Sequence, residues 1–330
     1  MDWMVIFRNA LAAFIGQDAV IYALGAIGLN LHFGYTGLLN FGQVGFLAAG
    51  AYGIAMTVAT FGLSLWTGLA VGIGAALVLA VLLGVPTLRL RADYLAIVTI
   101  ATSEIIRLSV RSVSAREYTG GSFGLGQFAG DFYALNPFPP GTYGVGPLAF
   151  SERQAWLLLV GWSLVVLGAL LVWLWMRSPW GRVLKSIRED EDAARSLGKN
   201  VFVYKMQSLA LGGVFGALGG FIFALGNASV QPDAYSTPVT FFIWTALILG
   251  GTATLLGPIV GAMIFWALLS LSDTVLRQAV GAGYVPPSLI DGVQIGQVRF
   301  MLVGLGLMLL MIFRPQGLFG DKRELALDAR

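Results

Sequence analysis

Glu104 and Arg107 stand three residues apart inside an otherwise apolar stretch. At that spacing on a helix the two lie on one face and can pair. An ionisable group inside a lipid-spanning helix is costly and marks a functional position by default. A carboxylate there could carry a proton, whereas an ion pair would fix helix register. Asn40, Gln43, Gln207 and Asn227 pose a milder form of the question, their ordinary use being hydrogen bonds between helices. Other chemistry is poorly supplied. The chain has no cysteine and a single histidine, His32, which excludes a disulfide framework and gives no basis for a zinc site or a Ser-His pair. No Gly-x-x-x-x-Gly-Lys-Ser/Thr loop occurs. The nearest string, Gly181 to Ser186, lacks the second glycine, and the glycines at 120, 121, 124 and 126 follow no strand. The sequence therefore assigns no catalytic residue and no metal ligand.

The elements that must hold these residues are membrane helices. Of 330 residues, 57% are hydrophobic and 11% charged, against about 25% charged in an ordinary soluble domain. Apolar runs are predicted at about 13–31, 38–60, 63–87, 94–113, 154–176, 204–228, 240–272 and 297–313. Several reach the roughly 20 residues that a helix needs to cross a bilayer, where a barrel would show short alternating segments. The expectation is an all-α integral membrane protein: one polytopic bundle of about eight to nine transmembrane helices spanning residues 1–330. Its start carries no basic segment and is expected to be retained.

The seventh run is too long for one crossing, and Gly250, Gly251, Gly257 and Pro258 interrupt it. It must be two helices or one broken or re-entrant helix. Non-helical backbone at membrane depth is tolerated where it lines a cavity, so Gly257 and Pro258 join the candidate pathway residues. The Gly-rich segment 34–45 is the matching candidate in the first half, and Leu38-Leu39-Asn40 faintly echoes Leu255-Leu256-Gly257. Elsewhere glycine implies close helix packing: Gly212, Gly216 and Gly220 fall on one helix face, as do Gly45, Ala49 and Gly53.

Cations set the orientation. Segment 177–205 holds Arg177, Arg182, Lys185, Arg188, Arg195, Lys199 and Lys205 and is expected inside. Arg89, Arg91 and the tail 314–330, with Arg314, Lys322 and Arg323, follow on that side, while 114–153, 229–239 and 273–296 fall outside. The net charge of +3 reflects these loops and does not imply nucleic acid. Within 177–203, Ser178 suits an N-cap, Pro179 the first turn and Gly198 the stop of a single short helix. Val183, Leu184, Ile187, Ala194 and Leu197 recur along it at helical spacing. An apolar stripe with no membrane core to enter is expected to seek a partner; the plainer readings are rest against its own bundle or on lipid headgroups.

Asp192-Ala193-Ala194-x-x-x-Gly198 is similar to the EAA-x-x-x-G loop of ABC importer permeases, with Asp for Glu and without the Leu-Pro ending. The segment from Ser178 resembles the form found in permeases of branched-chain amino-acid importers, the LivM type. The likeness runs on through Gly37 to Tyr52, Arg91 to Arg107, Thr119-Gly120-Gly121, Gly250 to Ala262 and the terminal Arg314-Pro315-Gln316-Gly317-Leu318-Phe319.

The resemblance implies one permease subunit of a binding-protein-dependent importer in the inner (plasma) membrane of a bacterium. Such a chain works with a second homologous permease, two ABC ATPase subunits and an external substrate-binding protein. It binds no cofactor itself, ATP being held by the ATPases. Gly181, Arg182, Leu184, Ile187, Arg188, Glu191, Asp192, Ala193, Ala194, Leu197 and Gly198 would form its coupling helix. The expected function is inward movement of leucine, isoleucine or valine. Alternatives are a permease for urea or short amides, a proton-coupled secondary transporter with Glu104 as carrier, and a structural membrane subunit without a pathway.

Overall fold

The computed structural model describes residues 2–88, 92–144, 146, 148–282 and 294–320; Arg89, Arg91, Lys322 and Arg323 lie outside the described residues. The chain runs α1 (Trp3–Phe14), α2 (Gln17–Leu29), α3 (Gln43–Ala55), α4 (Leu65–Thr87), α5 (Ala92–Arg111) and the short α6 (Arg116–Thr119) and α7 (Gly130–Ala134). It continues through α8 (Glu152–Arg177), α9 (Pro179–Glu189), α10 (Glu191–Ser196), α11 (Val201–Asn227), α12 (Thr237–Gly250), α13 (Gly257–Gly281) and α14 (Gln294–Phe313). A wide π-turn extends α2 over Asn30–Gly34, and another extends α3 over Met56–Thr60.

Seven helical stretches among the described residues are long and apolar enough to cross a membrane. The chain is a multi-pass membrane protein. α12, at 14 residues, is an apolar helix shorter than the usual crossing, and α5, the run expected at 94–113, is a 20-residue helix whose charges keep it out of that set. The first run differs from its expected bounds: the chain bends at Ile15–Gly16, so α1 and α2 are separate helices and α1 packs on α13. The long run 240–272 resolves into two helices, α12 and α13, joined by a turn.

α2 forms the centre. Every residue from Ala19 to Leu29 is buried, as expected of a helix apolar on all sides. α11, α3, α8, α12 and α13 surround it. Close approach depends on glycine where backbones meet. A Cβ on Gly28 would strike the Gly212 carbonyl, and one on Gly53 would strike the Gly72 backbone, so α2 meets α11 and α3 meets α4 without side chains between them. The Gly212, Gly216 and Gly220 face of α11 packs in this way against α2 and α3. At the periphery α4, α8 and α14 expose apolar rows such as Val78, Leu82, Val166, Leu170, Leu305 and Ile312. These rows suit lipid.

Segments expected outside come together. β1 (Leu125–Gly126) pairs antiparallel with β4 (Ser229–Val230), and β2 (Thr142–Tyr143) pairs with β3 (Phe150–Ser151). Ser151 and Gln154 then form a reciprocal capping box that starts α8.

Candidate functional site

The two interruptions foreseen in the bundle lie together at one end of it. Residues 35–42 are non-helical between the π-turn and α3, and 251–256 form the turn between α12 and α13. Asn30, in the π-turn that leads into the first and 2% exposed, clamps the second: its amide nitrogen donates to Thr254 O at 2.8 Å, and its oxygen accepts from Ala253 N at 2.8 Å. Gly257 donates its N–H to the Thr254 hydroxyl at 3.1 Å, and Pro258 fills the first turn of α13, where a missing N–H costs nothing. Trp244 donates from Nε1 to Asn40 O at 3.0 Å, and Val44 N–H donates to Thr240 Oγ1 at 3.0 Å, so α12 is also bonded to the first interruption.

The terminal Arg-Pro-Gln-Gly-Leu-Phe segment has a structural use there. The last carbonyls of a helix lack internal partners. Leu318 N–H and Phe319 N–H supply them to Leu249 O and Gly250 O, at 3.0 and 2.9 Å.

Asn40 and Gln43 are fully buried and belong to a directed hydrogen-bond chain. Gln43 Nε2 donates to the carbonyls of Gly212 (3.2 Å) and Gly25 (3.4 Å), which turns its oxygen toward Asn40. Asn40 Nδ2 must then donate, to Gln43 Oε1 and to His32 Nδ1, both at 3.0 Å, while its oxygen accepts from Gly42 N–H at 2.8 Å. His32 meets Leu209 O through Nε2 at 3.1 Å, so its proton sits on Nε2 and the ring is neutral. Thr36 and Ser208 share a 2.7 Å bond beside it.

Glu104 and Arg107 do pair, at 2.8 Å, but not in isolation. Arg107 also reaches Asp233 at 2.9 Å, Arg111 joins the same carboxylate at 2.9 Å, and Thr237 donates its hydroxyl to Glu104 at 2.8 Å. This network ties α5 to the turn that precedes α12, the side where 229–239 was expected to be external. Asp273, Arg277 and Arg299 form a further set joining α13 to α14.

Segment 177–203 differs from its expected form in two ways. It is two helices and not one: Asp190 leaves helical geometry at φ −154°, and its carboxylate caps α10 through Asp192 N and Ala193 N. The apolar stripe is also mostly satisfied within the chain. Leu184, Ile187 and Ala194 are buried, the last two with Val201, Val183 and Tyr204 of this same subunit. Gly181 lies against the end of α8, and Lys205 pairs with Glu191. What faces outward is Arg182, Arg188, Asp192, Ala193, Gly198 and above all Leu197, 79% exposed. Arg188 additionally donates to Gly34 O at 2.6 Å, which joins α9 to the end of α2.

Asn30 and Asp233 are polar residues that the sequence reading passed over, and His32, weighed there only as a zinc ligand or a Ser-His partner, belongs to the Asn40 chain. Asn30 carried the same signal as Glu104, a polar group between apolar neighbours. Among the described residues no group of three or more acidic or His side chains is placed to hold a metal ion.

Comparison with known proteins bears on the whole of this framework. A family described as "Branched-chain amino acid transport system / permease component" matches residues 11–313. The high-affinity branched-chain amino acid transport system permease protein LivM of Escherichia coli K12 is 32% identical over 325 residues, covering 92% of this chain and 69% of that one. Its counterpart in Salmonella typhimurium LT2 is also 32% identical, over 314 residues with the same coverage. A probable LivM of Methanocaldococcus jannaschii is 27% identical, covering 92% and 91%. With the family pattern running from the end of α1 to the end of α14, the chain belongs to the branched-chain amino acid transport system permease family.

Proposed function

We propose that this chain is a membrane-spanning subunit of a binding-protein-dependent ABC importer that moves branched-chain amino acids inward across the plasma (inner) membrane of a bacterium. The observation that carries the reading is the family match across nearly the whole bundle. An inner segment that is anchored to the chain yet presents Asp192, Ala193, Leu197 and Gly198 outward agrees with it.

In this reading the protein is one transmembrane domain. Adding α5 and α12 to the seven long apolar stretches gives nine crossings, with 177–203 and the tail inside and 114–153 outside. α9 and α10 are the coupling element. Gly181, Leu184, Ile187 and Ala194 hold it to the bundle, as does Arg188 through Gly34, while Arg182, Glu191, Asp192, Ala193, Leu197 and Gly198 meet one of two ATPase subunits. ATP is bound there and not by this chain. A second homologous permease completes the pathway, and an external binding protein delivers solute to the 114–153 side. Asn40, Gln43, Gly257 and Pro258 shape the pathway by holding the two interruptions in place. Glu104 and Arg107 fix the outer end of α5.

The test is uptake by the complex purified through a tag on this chain and reconstituted in liposomes. Leucine, isoleucine and valine should enter when ATP is supplied on the side of the ATPases and binding protein on the other. Uptake that ignores ATP and collapses with the proton gradient would overturn the reading. Uptake of urea or short amides alone would correct its substrate.

A further inference from the structure

The coupling element and the turn 251–256 are joined by an unbroken line of short contacts through the end of α2. Arg188 of α9 donates a charge-assisted bond to Gly34 O at 2.6 Å. Gly34 touches both neighbours beyond: a Cβ placed there would approach Ala253 N to 2.7 Å and would overlap the Asn30 amide oxygen. Asn30 grips Thr254 O and Ala253 N together, each at 2.8 Å, and is itself 2% exposed. Two bonds from one amide to adjacent backbone groups leave that turn little freedom relative to α2.

At the start of the turn Gly251 takes φ +109°, and the carbonyls at the end of α12 accept from Leu318 and Phe319. A displacement of 253–254 is therefore felt by α12, α13 and the tail together. The segment between the two grips is the π-turn Asn30–Gly34, in which Tyr35 N–H reaches back to Asn30 O at 2.9 Å. Such turns often occur at functional sites.

We propose that residues 30–34 are a brace that transmits movement of α9 to the α12–α13 turn, with Arg188 and Asn30 as its positioning residues. Neither residue contacts solute in this scheme. Arg188 senses where α9 stands, and Asn30 sets where the turn stands. The inference rests on the reading of α9–α10 as the surface that an ATPase moves. It adds the route by which that movement reaches the helix pair containing Gly257 and Pro258.

Two experiments test the brace. The first uses the full-length chain in lipid nanodiscs and follows amide hydrogen exchange in 252–257. Arg188→Ala should speed exchange there about tenfold, as loss of one charge-assisted bond allows, although that bond ends on Gly34, outside the segment. Arg188→Lys should restore slow exchange, and Arg182→Ala, which removes a charge from the same helix, should leave it slow. Unchanged exchange in Arg188→Ala would overturn the link.

The second uses the purified complex and exploits the absence of native cysteine. Single cysteines at Glu189, on α9, and at Leu256, on the turn, report thiol labelling with and without a non-hydrolysable ATP analogue. Both reporters should respond in the parent. Arg188→Ala and Asn30→Ala should keep the response at 189 and abolish it at 256. A response at 256 that survives both substitutions, or is missing in the parent, overturns the brace alone. No response at 189 overturns the docking reading and the brace with it. Should Asn30→Ala fail to insert, Arg188→Ala at the periphery still decides.

Discussion

Asn40→Leu tests whether the polar chain at the first interruption holds the bundle together. Leucine is close to asparagine in size, so the change removes hydrogen bonds and opens little cavity. Asn40 serves three buried groups: Gln43 Oε1, His32 Nδ1 and the Gly42 N–H. Each would be left without its partner in a place that water does not reach, at about 1–3 kcal/mol apiece. The combined cost, about 3–9 kcal/mol, rivals the whole stability of many folded domains, about 5–15 kcal/mol. Equilibrium unfolding in mixed micelles measures it. His32→Phe provides the second arm of a cycle. With His32 gone, one of the three orphans created by Asn40→Leu no longer exists, so the double variant should fall short of the summed singles by about 1–3 kcal/mol. Additivity within about 0.5 kcal/mol would refute the coupled chain. A normally stable Asn40→Leu that fails in transport would place the residue on the solute path instead.

Three further outcomes follow from the packing. Gly212→Ala should destabilise the protein by about 1–3 kcal/mol, because its methyl would fall on the His32 ring and the Gly28 carbonyl, whereas Gly74→Ala, with open space around it, should leave the melting temperature unchanged or higher. Glu104→Gln should keep uptake near the parental rate, since the amide oxygen can still accept from Arg107 while the amide nitrogen donates to the Thr237 hydroxyl; Arg107→Ala should lower stability more than Glu104→Ala/Arg107→Ala does, and an inactive but folded Glu104→Gln would instead identify a proton carrier. Ile187→Asp buries a charge within this subunit and should reduce the yield of folded protein, while Leu197→Asp should leave yield intact and reduce recovery of ATPase subunits.

The helical runs were legible because a bilayer demands long uncharged stretches, and glycine marked both interruptions, joined by Pro258 at the second. α5 shows the same logic from the other side: its charges set it apart, and Glu104, Arg107 and Arg111 are paired. What the sequence concealed is partnership across large separations. Asn30 and Thr254 are 224 residues apart, and Arg107 and Asp233 are 126 apart. No periodicity encodes such a choice of partner. The coupling stripe misled for a related reason. Helical spacing identified an apolar face at Ile187 and Ala194, but the face is covered by Val201 and Tyr204 at the start of α11, and only Leu197 stays outside. The break at Asp190 was equally hidden, because an acidic residue within an acidic run gives no local sign that it is acting as a cap.

Crosslinking from Leu197 tests the central claim most directly. Leu197→Cys places the chain's single thiol on the most exposed apolar residue of α9–α10, and a photoactivatable label on it reports whatever lies against that face in the complex isolated from membranes. The account predicts an adduct with an ATPase subunit, formed in good yield, that is lost when the label is moved to Val166 on the lipid-facing side of α8. A label at 197 that captures lipid alone, in a preparation that still imports leucine on ATP, would contradict it.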